Sequence, residues 1–302
     1  MSVQVRIRKY DPLIFSKAPV VKQWQADDVC ITYLDLAFKE HTSLEWESDE
    51  ELVMMYFMLK GKALIRHTAF EKQLETGAYQ HNLIYPAKGT GSIKNEELHL
   101  TALLITFTKQ AFAEFTKHGS GLLKDCARKV KEGNTFMLSA QSLFIDIAMQ
   151  SVLTSIIDYT YGEELRSIFL RAKVLELLVM QAEAHARSQL PQNKYIKNDY
   201  DKERILFARD YLIQRMDMPP SLPGLALITG INEFKLKRGF KEVFNTTVFG
   251  YLSDARLELA KNELTAKQKS ASEIAFELGY SSIQHFSKAF KKKFGVSPTE
   301  LK

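Results

Sequence analysis

Lysines and phenylalanines alternate in a helical pattern close to the end of this 302-residue chain. In the segment "HFSKAFKKKFGVSPTELK", Phe286, Phe290 and Phe294 stand four residues apart and so fall on one face of a helix. Most of the lysines between them point to the far side, where their ammonium groups can bind an anion. The pattern therefore predicts a helix that is buried along one face and meets negative charge along the other.

The last third of the chain contains an internal repeat. An apolar residue followed by alanine, and a glycine four residues after the alanine, recur with an offset of 49 residues. A set of three apolar residues spaced four apart recurs with an offset of 50. The repeated residues are Leu225-Ala226, Gly230, Leu236, Phe240 and Phe244 in the first unit, and Ile274-Ala275, Gly279, Phe286, Phe290 and Phe294 in the second. Each glycine can end a helix in the left-handed conformation. Two such matches in register argue against a plain bundle of amphipathic helices.

Capping residues mark where the second helix of each unit begins and ends. Asn232 is a natural N-cap in the first unit, and Ser281 or Ser282 takes this place in the second. Asn245 and Gly295 are suited to end these helices in the left-handed region. A helix, a short turn with glycine and a second helix form a helix-turn-helix, so the sequence predicts two of these motifs.

In a helix-turn-helix, the exposed residues of the second helix, near its start, reach base edges in the major groove. We predict base contacts from Phe234, Lys237 and Arg238 in the first unit and from Ile283, Gln284, Ser287 and Lys288 in the second. Arginine can hold guanine through two hydrogen bonds, glutamine can pair with adenine, and apolar side chains can touch a thymine methyl group. Lysines further along are expected to contact phosphates, namely Lys241, Lys291, Lys292 and Lys293.

The segment "TVFGYLSDARLELAKNELT" connects the two units and predicts one further helix. A helix of about 18 residues is about 27 Å long. That length can hold two recognition helices in successive major grooves, which lie about 34 Å apart on one face of the duplex. The expected macromolecular partner is therefore double-stranded DNA.

Composition is that of an ordinary soluble globular protein, with 45% hydrophobic and 25% charged residues. The net charge of +5 is concentrated near the end, because residues 199–302 carry 17 Lys and Arg against 13 Asp and Glu. Cys30 and Cys126 provide neither a disulfide framework nor a CxxC motif, which suits a reducing cytosol. We expect a cytoplasmic protein, because the sequence shows no signal peptide and no run of about 18 apolar residues.

Periodicity divides the chain into three regions. Residues 1–109 contain short β-branched and aromatic runs such as "ELVMMYFMLKGKALIRH", punctuated by turns such as "YPAKGTGS", which predicts a sandwich or barrel. Residues 110–200 change to a helical period and end in the polar linker "SQLPQNKYIKNDY". Residues 201–302 show a helical pattern throughout.

The helix predicted in "EELRSIFLRAKVLELLVMQAEAHA" is apolar around much of its circumference. One face carries Leu165, Ile168, Phe169, Ala172, Leu175 and Val179, while Leu170, Val174, Leu177 and Leu178 widen the surface sideways. Such a helix needs partners on two sides. The strand region together with a second subunit, hence a homodimer, would supply them, and a purely intramolecular core is an equal alternative.

The segment "IAFELGYSSIQHFSKAFKKKFGVSP" resembles the C-terminal signature of the AraC/XylS transcription regulators. The resemblance covers residues 201–302 and implies an all-α domain with two helix-turn-helix units that bind DNA. It further implies an α+β protein, with a cupin-like β-barrel sensor domain over 1–109 followed by dimerisation helices. Gly239, inside the first recognition helix, departs from the pattern and should weaken that helix by about 1 kcal/mol.

Two other segments, "GINEFKLKRGFKEVFNTTVFGYL" and "QHNLIYPA", resemble the pyochelin-regulator subgroup, whose members respond to ferric siderophores. The resemblance implies a ligand-responsive regulator, more often an activator, that works with RNA polymerase. Its effector, siderophore-like or another metabolite, is expected inside the barrel, where apolar walls carry a few polar anchors. The candidate ligand-binding residues are Trp24, Trp46, Tyr56, Arg66, His81 and Tyr85.

Two other functions must be weighed against this one. A cupin enzyme fused to the DNA-binding region is remote, because the histidines of the strand region are isolated and no HxH, HExxH, GxSxG, P-loop or GxGxxG motif occurs. We therefore expect no enzyme, no metal and no cofactor. A constitutive architectural DNA-binding protein is the second alternative, but residues 1–200 would then have no task.

Overall fold

The computed structural model describes residues 6–7, 12–48, 51–119, 121–159, 162–189, 195–196, 198–265 and 269–300. The chain divides into two compact units, residues 1–191 and 192–302. Within the described ranges, no helix combines the length and the apolarity needed to cross a lipid bilayer.

The first unit is built on two antiparallel sheets. Its strands are β1 (Arg6–Ile7), β2 (Val20–Ala26), β3 (Val29–Ala37), β4 (Ser43–Ser48), β5 (Leu52–Lys60), β6 (Ala63–His67), β7 (Leu74–Thr76), β8 (Gln80–Tyr85), β9 (Gly89–Asn95), β10 (His99–Thr108), β11 (Phe136–Met137) and β12 (Leu143–Phe144). One sheet has the order β1-β4-β9-β6-β7, and the other has the order β11-β8-β5-β10-β3-β2, with β12 also paired to β8. A short 3-10 helix, Pro12–Ile14, precedes β2.

The two sheets pack on each other without closing into a barrel. Among the described residues they share no hydrogen-bonded strand. Side chains join them instead, since Met58 and Ala102 of one sheet cluster with Ala63 and Leu44 of the other. The family resemblance implies a closed cupin-like barrel, and the structure corrects this to an open pair of sheets. Of the strands that the structure describes, the edge strands of one sheet, β1 and β7, do not pair with the edge strands of the other, β2 and β11.

The described residues of the first unit also form the helices α1 (Lys109–Thr116), α2 (Leu122–Glu132), α3 (Ile147–Ile157) and α4 (Glu163–Ser188). Thr108 and Asp146 cap α1 and α3 by accepting hydrogen bonds from backbone N–H groups. The helices share one hydrophobic core with the strands, and α4 contributes Leu170, Val174, Leu177 and Leu178 to it. The strand region and residues 110–188 therefore form one folding unit rather than two separate bodies.

The opposite side of α4 carries an apolar stripe, Leu165, Ile168, Leu175 and Val179, that we call the α4 stripe. All four side chains are exposed in the single chain, Ile168 to 71%. The residues that the periodicity assigned to the side of the helix are thus the buried ones, because they face the sheet. Of the residues assigned to its main face, the four of the α4 stripe are exposed, whereas Phe169 packs against the core.

The second unit is helical, with α5 (Asp199–Gln214), α6 (Leu222–Thr229), α7 (Glu233–Phe244), α8 (Val248–Thr265), α9 (Ala271–Glu277) and α10 (Ile283–Phe294). The predicted caps are confirmed. Asn232 accepts a hydrogen bond from the Lys235 amide, and Ser282 rather than Ser281 accepts one from the His285 amide. Gly230, Gly279, Asn245 and Gly295 all have positive φ angles, as the helix ends require.

Gly239 has a packing reason to be glycine. A Cβ atom at this position would lie 3.0 Å from Cδ1 of Ile205, on the neighbouring helix α5. The residue is buried within α7, so the missing side chain allows α5 to approach closely. Our prediction that Gly239 only weakens the recognition helix overlooked this contact.

Candidate nucleic-acid interface and small-molecule cleft

The first recognition helix, α7, separates its faces clearly. Leu236, Phe240 and Phe244 are buried against the rest of the unit. The predicted base-contacting residues Phe234, Lys237 and Arg238 are exposed, Phe234 to 61%, and so is Lys241. An exposed phenylalanine beside an arginine can contact both the apolar and the polar edges of bases.

The second recognition helix, α10, repeats this arrangement. Phe286 and Phe290 are fully buried. On the other side, Gln284 and Lys288 are exposed, while Ile283 and Ser287 are partly exposed beside them. Lys291 and Lys292 follow in the last turn and are also exposed. With the exception of Lys293, the structure therefore brings the predicted base-contacting and phosphate-contacting residues onto the exposed side of each helix.

Lys293 differs from the other lysines of its run. Its amine lies 3.1 Å from Oδ1 of Asp254 and 3.1 Å from Oε1 of Glu258, both on α8. These carboxylates already neutralise the charge that a phosphate would need. The structure thus gives Lys293 a role in fixing α10 to α8, which the lysine run did not signal.

Tyr195 and Glu242 contact this surface as well, and the sequence did not predict a role for either of them. The ring of Tyr195, ahead of α5, lies over the guanidinium of Arg238, at 5.5 Å from its centroid. The Glu242 carboxylate, on the last turns of α7, accepts hydrogen bonds from the amides of Tyr195 and Ile196. No local pattern signalled this contact, because Tyr195 and Arg238 are distant along the chain.

The first unit has a cleft of about 620 Å³ on the five-stranded sheet. Trp46 and Arg66, two of the predicted ligand-binding residues, line it together with His67, Phe70 and Lys72. The Trp46 and His67 rings lie 5.0 Å apart, centroid to centroid. The Trp46 indole lies so close to the Gly91 backbone that a Cβ atom added to Gly91 would be 2.5 Å from the indole ring.

Two buried ring nitrogens in this cleft have no hydrogen-bond partner among the described residues: Nε1 of Trp46 and Nε2 of His67. The Ala69 amide donates to Nδ1 of His67 at 3.0 Å, so the proton of the neutral ring sits on Nε2. Burial lowers the pKa of His67, which favours this neutral form. The cleft is therefore lined by two buried N–H donors without described partners, by the cationic side chains of Arg66 and Lys72, and by the carboxylates of Glu45 and Glu71.

The other predicted ligand-binding residues lie elsewhere. Tyr56 is buried in β5, its hydroxyl lies 2.9 Å from the Ser142 hydroxyl, and burial raises its pKa to about 12. His81 and Tyr85 are buried in β8. Gln181 of α4 donates to Nδ1 of His81, and burial lowers the pKa of His81 to about 3. Trp24 packs on the core from β2. The structure does not bring these four residues to the cleft.

A second cleft, of about 550 Å³, lies beside α1 and includes Phe115 and Arg171. None of the predicted ligand-binding residues lines it. In the part of the chain that the structure describes, no three His, Cys, Asp or Glu side chains are grouped so that they could hold a metal ion.

Family profiles match both units. The profile described as "Regulatory protein PchR N-terminal domain" matches residues 24–195, more than half of the chain, and the profile described as "Helix-turn-helix domain" matches residues 225–302. Regulatory protein SoxS of Escherichia coli (strain K12) is 30% identical over 92 residues, which cover 30% of this chain and 86% of SoxS. This chain belongs to the AraC family of DNA-binding transcription regulators. Its N-terminal unit is of the PchR type.

Other AraC-type proteins are similar over part or most of the chain. Regulatory protein PchR of Pseudomonas aeruginosa is 37% identical over 117 residues, which cover 39% of this chain and only 40% of PchR. Wild-type ToxT of Vibrio cholerae, solved with an unsaturated fatty acid bound, is 15% identical and has a TM-score of 0.36, and the match covers 91% of this chain and 94% of ToxT. An AraC-type regulator from Chromobacterium violaceum is 27% identical, covers 34% of this chain and 93% of its own, and has a TM-score of 0.32.

Proposed function

We propose that this AraC-type regulator reads two successive major grooves, one with α7 and one with α10. The observation that supports this is the matched exposure of the two helices: each buries an apolar stripe and exposes the predicted base-contacting residues on the opposite side. The connecting helix α8 has 18 residues, hence a length of about 27 Å. We assign base contacts to Phe234, Lys237, Arg238, Ile283, Gln284, Ser287 and Lys288, and phosphate contacts mainly to Lys241, Lys291 and Lys292.

Selection of duplexes from a random-sequence library tests this assignment. The full-length protein should enrich a site with two short conserved blocks, one for each recognition helix. Arg238→Ala should relax base preference in one block and Gln284→Ala in the other, each at a cost of about 1–3 kcal/mol in specific binding. Enrichment of a single block, or loss of preference in the same block with both variants, would overturn the assignment.

We propose further that the first unit senses a small molecule in the cleft lined by Trp46, Arg66 and His67. The N–H donors without described partners call for acceptor oxygens, and the Trp46 and Phe70 rings favour a flat apolar body. The lining carries both signs of charge, Arg66 and Lys72 against Glu45 and Glu71, so Arg66 and Lys72 can pair with an anionic group of the ligand. An aromatic carboxylate or phenolate, free or as its ferric complex, fits these requirements. The name of the relative PchR identifies a regulatory protein, in keeping with a sensing role.

A ligand can act only through a difference in its affinity for two states of the protein. Thermal denaturation with salicylate, 2,3-dihydroxybenzoate and their ferric complexes tests for binding, because a ligand of the native state raises the melting temperature. No shift with any of these probes, together with intact sequence-specific DNA binding, would favour the constitutive architectural alternative.

We infer the division of labour as follows: residues 1–109 sense, residues 110–200 dimerise and link, and residues 201–302 bind DNA. The α4 stripe supports a homodimer, because four large apolar side chains on one helix face are exposed in the single chain. A regulator of this design would activate transcription by contacting RNA polymerase, without enzymatic activity of its own. Transcription in vitro from a promoter that carries the selected site, with and without the protein, tests this role.

A further inference from the structure

The segment just ahead of α5 packs on the first recognition helix. Tyr195 and Ile196 belong to the polar stretch that the sequence predicts as a linker, yet both make defined contacts with α7. The Tyr195 ring meets the Phe234 ring at a centroid distance of 5.8 Å and an angle of 79°. This edge-to-face geometry is the one that aromatic pairs prefer.

The backbone of this segment is held by a charged group. Oε2 of Glu242 lies 2.6 Å from the amide nitrogen of Tyr195 and 3.2 Å from that of Ile196. Hydrogen bonds from amides to a carboxylate are stronger than those to neutral acceptors. Ile196 also fills the space beside Gly239, since its Cγ1 atom would lie 3.4 Å from a Cβ atom there. The segment is thus fixed at two points on α7.

Arg238 lies beside both rings, which also contact each other. Its guanidinium carbon is 5.5 Å from the centroid of Tyr195 and 5.7 Å from the centroid of Phe234. Phe234 lies on α7 itself, four residues earlier, whereas Tyr195 comes from outside the helix-turn-helix. A long, flexible arginine side chain loses conformational freedom when it grips a base, and stacking on fixed rings removes part of that freedom beforehand.

We propose that Tyr195 is a positioning residue for base recognition: held by Glu242, it fixes Arg238 against Phe234 in the orientation that reads a base. The inference rests on the proposed base contact of Arg238. It extends the base-reading surface beyond the helix-turn-helix to a residue of the connection between the two units.

Binding of the full-length protein to its selected duplex, and to duplexes altered at each base of the α7 block, tests the proposal. Tyr195→Ala should reduce discrimination at the base read by Arg238 by about two- to five-fold, the range of an exposed cation–π contact. Discrimination in the α10 block and the salt dependence of binding should stay unchanged. Tyr195→Phe, which keeps the ring, should restore discrimination, and Glu242→Ala should reproduce the loss.

Tyr200→Ala is the matched control. Tyr200 is a half-exposed tyrosine of α5 that stacks on Arg204, with the guanidinium 4.8 Å from its centroid. The substitution removes a similar aromatic–arginine contact elsewhere in the same unit, so we expect no change in base discrimination.

A double-mutant cycle separates positioning from a general structural role. In the Arg238→Ala background, Tyr195→Ala should have no further effect on discrimination. An equal loss in both backgrounds would overturn the proposal, and so would tighter specific binding by Tyr195→Ala, because the ring would then be covering Arg238. If Arg238→Ala changes discrimination but Tyr195→Ala does not, only this inference fails. If Arg238→Ala itself changes nothing, the proposed base contact fails.

Discussion

Lys293 on α10 is ion-paired to Asp254 on α8, with 3.1 Å between Nζ and Oδ1. Its neighbour Lys292 is exposed and has no ion pair of this kind among the described contacts. Two adjacent lysines of one run are therefore used differently, one to hold the recognition helix and the other to face solvent or DNA.

This difference predicts that the two alanine variants change different properties, DNA binding in one case and stability in the other. Lys292→Ala should weaken binding to all duplexes alike and lower the slope of log K against log salt concentration by about 0.9, because one phosphate contact is lost. Lys293→Ala should leave that slope almost unchanged and destabilise the second unit by up to about 1 kcal/mol, since its ion pairs are partly exposed. Salt titrations and urea denaturation measure the two effects. Equal salt slopes for both variants would contradict the assignment of Lys292 to DNA and of Lys293 to α8.

The proposed effector cleft predicts a difference between the two tryptophans of the chain. Trp46→Phe keeps an aromatic ring but removes the unused N–H donor, so affinity for a carboxylate or phenolate ligand should fall about ten-fold, in the range of a hydrogen bond to a charged group. Trp24→Phe should leave affinity unchanged, because Trp24 does not line the cleft. Isothermal titration of a ligand identified by thermal shift measures both. A larger loss of ligand affinity with Trp24→Phe than with Trp46→Phe would show that the ligand binds outside the proposed cleft.

The α4 stripe predicts that dimerisation can be abolished without unfolding the chain. Ile168→Asp should convert a dimer to a monomer and leave the melting profile of the monomer nearly unchanged, because Ile168 is exposed in the single chain. Lys173→Asp, on another side of α4, is the matched control and should leave the dimer intact. Sedimentation equilibrium measures the association. A wild-type protein that stays monomeric at all concentrations would contradict the proposal.

Burial of His81 predicts that the first unit loses stability in mild acid. Its folded-state pKa is lowered from 6.5 to about 3, mainly because burial disfavours the charged ring and secondarily because Arg187 is nearby. The unfolded chain therefore takes up the proton first. The stability contribution is complete above pH 6.5, and about 2 kcal/mol of it is lost by pH 5.

Urea denaturation at pH 7.5 and pH 5 measures this dependence. His81→Gln should be less stable at pH 7.5 but should lose less stability on acidification than the wild type. Because other histidines titrate in both proteins, the difference between the two curves isolates His81. Parallel curves would show that His81 does not carry the effect.

The repeat made the DNA-binding unit predictable in detail, because its signals are local. Caps, left-handed glycines and apolar spacing each depend on residues within one or two turns, and so Asn232, Gly279 and Gly295 could be assigned from the sequence alone. The choice of Ser282 over Ser281 could not, since both can cap a helix equally well in sequence.

Contacts between distant segments were beyond the reach of the sequence. The lysine run offered no reason to separate Lys293 from Lys292, because Asp254 lies on another helix. Tyr195 belongs to a stretch with the composition of a polar linker, and only the structure places it on Arg238. Of the predicted ligand-binding residues, Trp46 and Arg66 share a cleft, but periodicity could not show that Tyr56 and His81 are buried within the sheet.

The spacing of the two half-sites tests the central claim most directly. Once the selected duplex is known, its two blocks should lie about 10–10.5 base pairs apart, centre to centre, so that α7 and α10 enter successive major grooves on one face. Inserting about five base pairs, half a helical turn, between the blocks turns them to opposite faces. Binding should then fall to the non-specific level, a loss of about 10³-fold or more. Undiminished affinity for the duplex with the insertion would contradict the account.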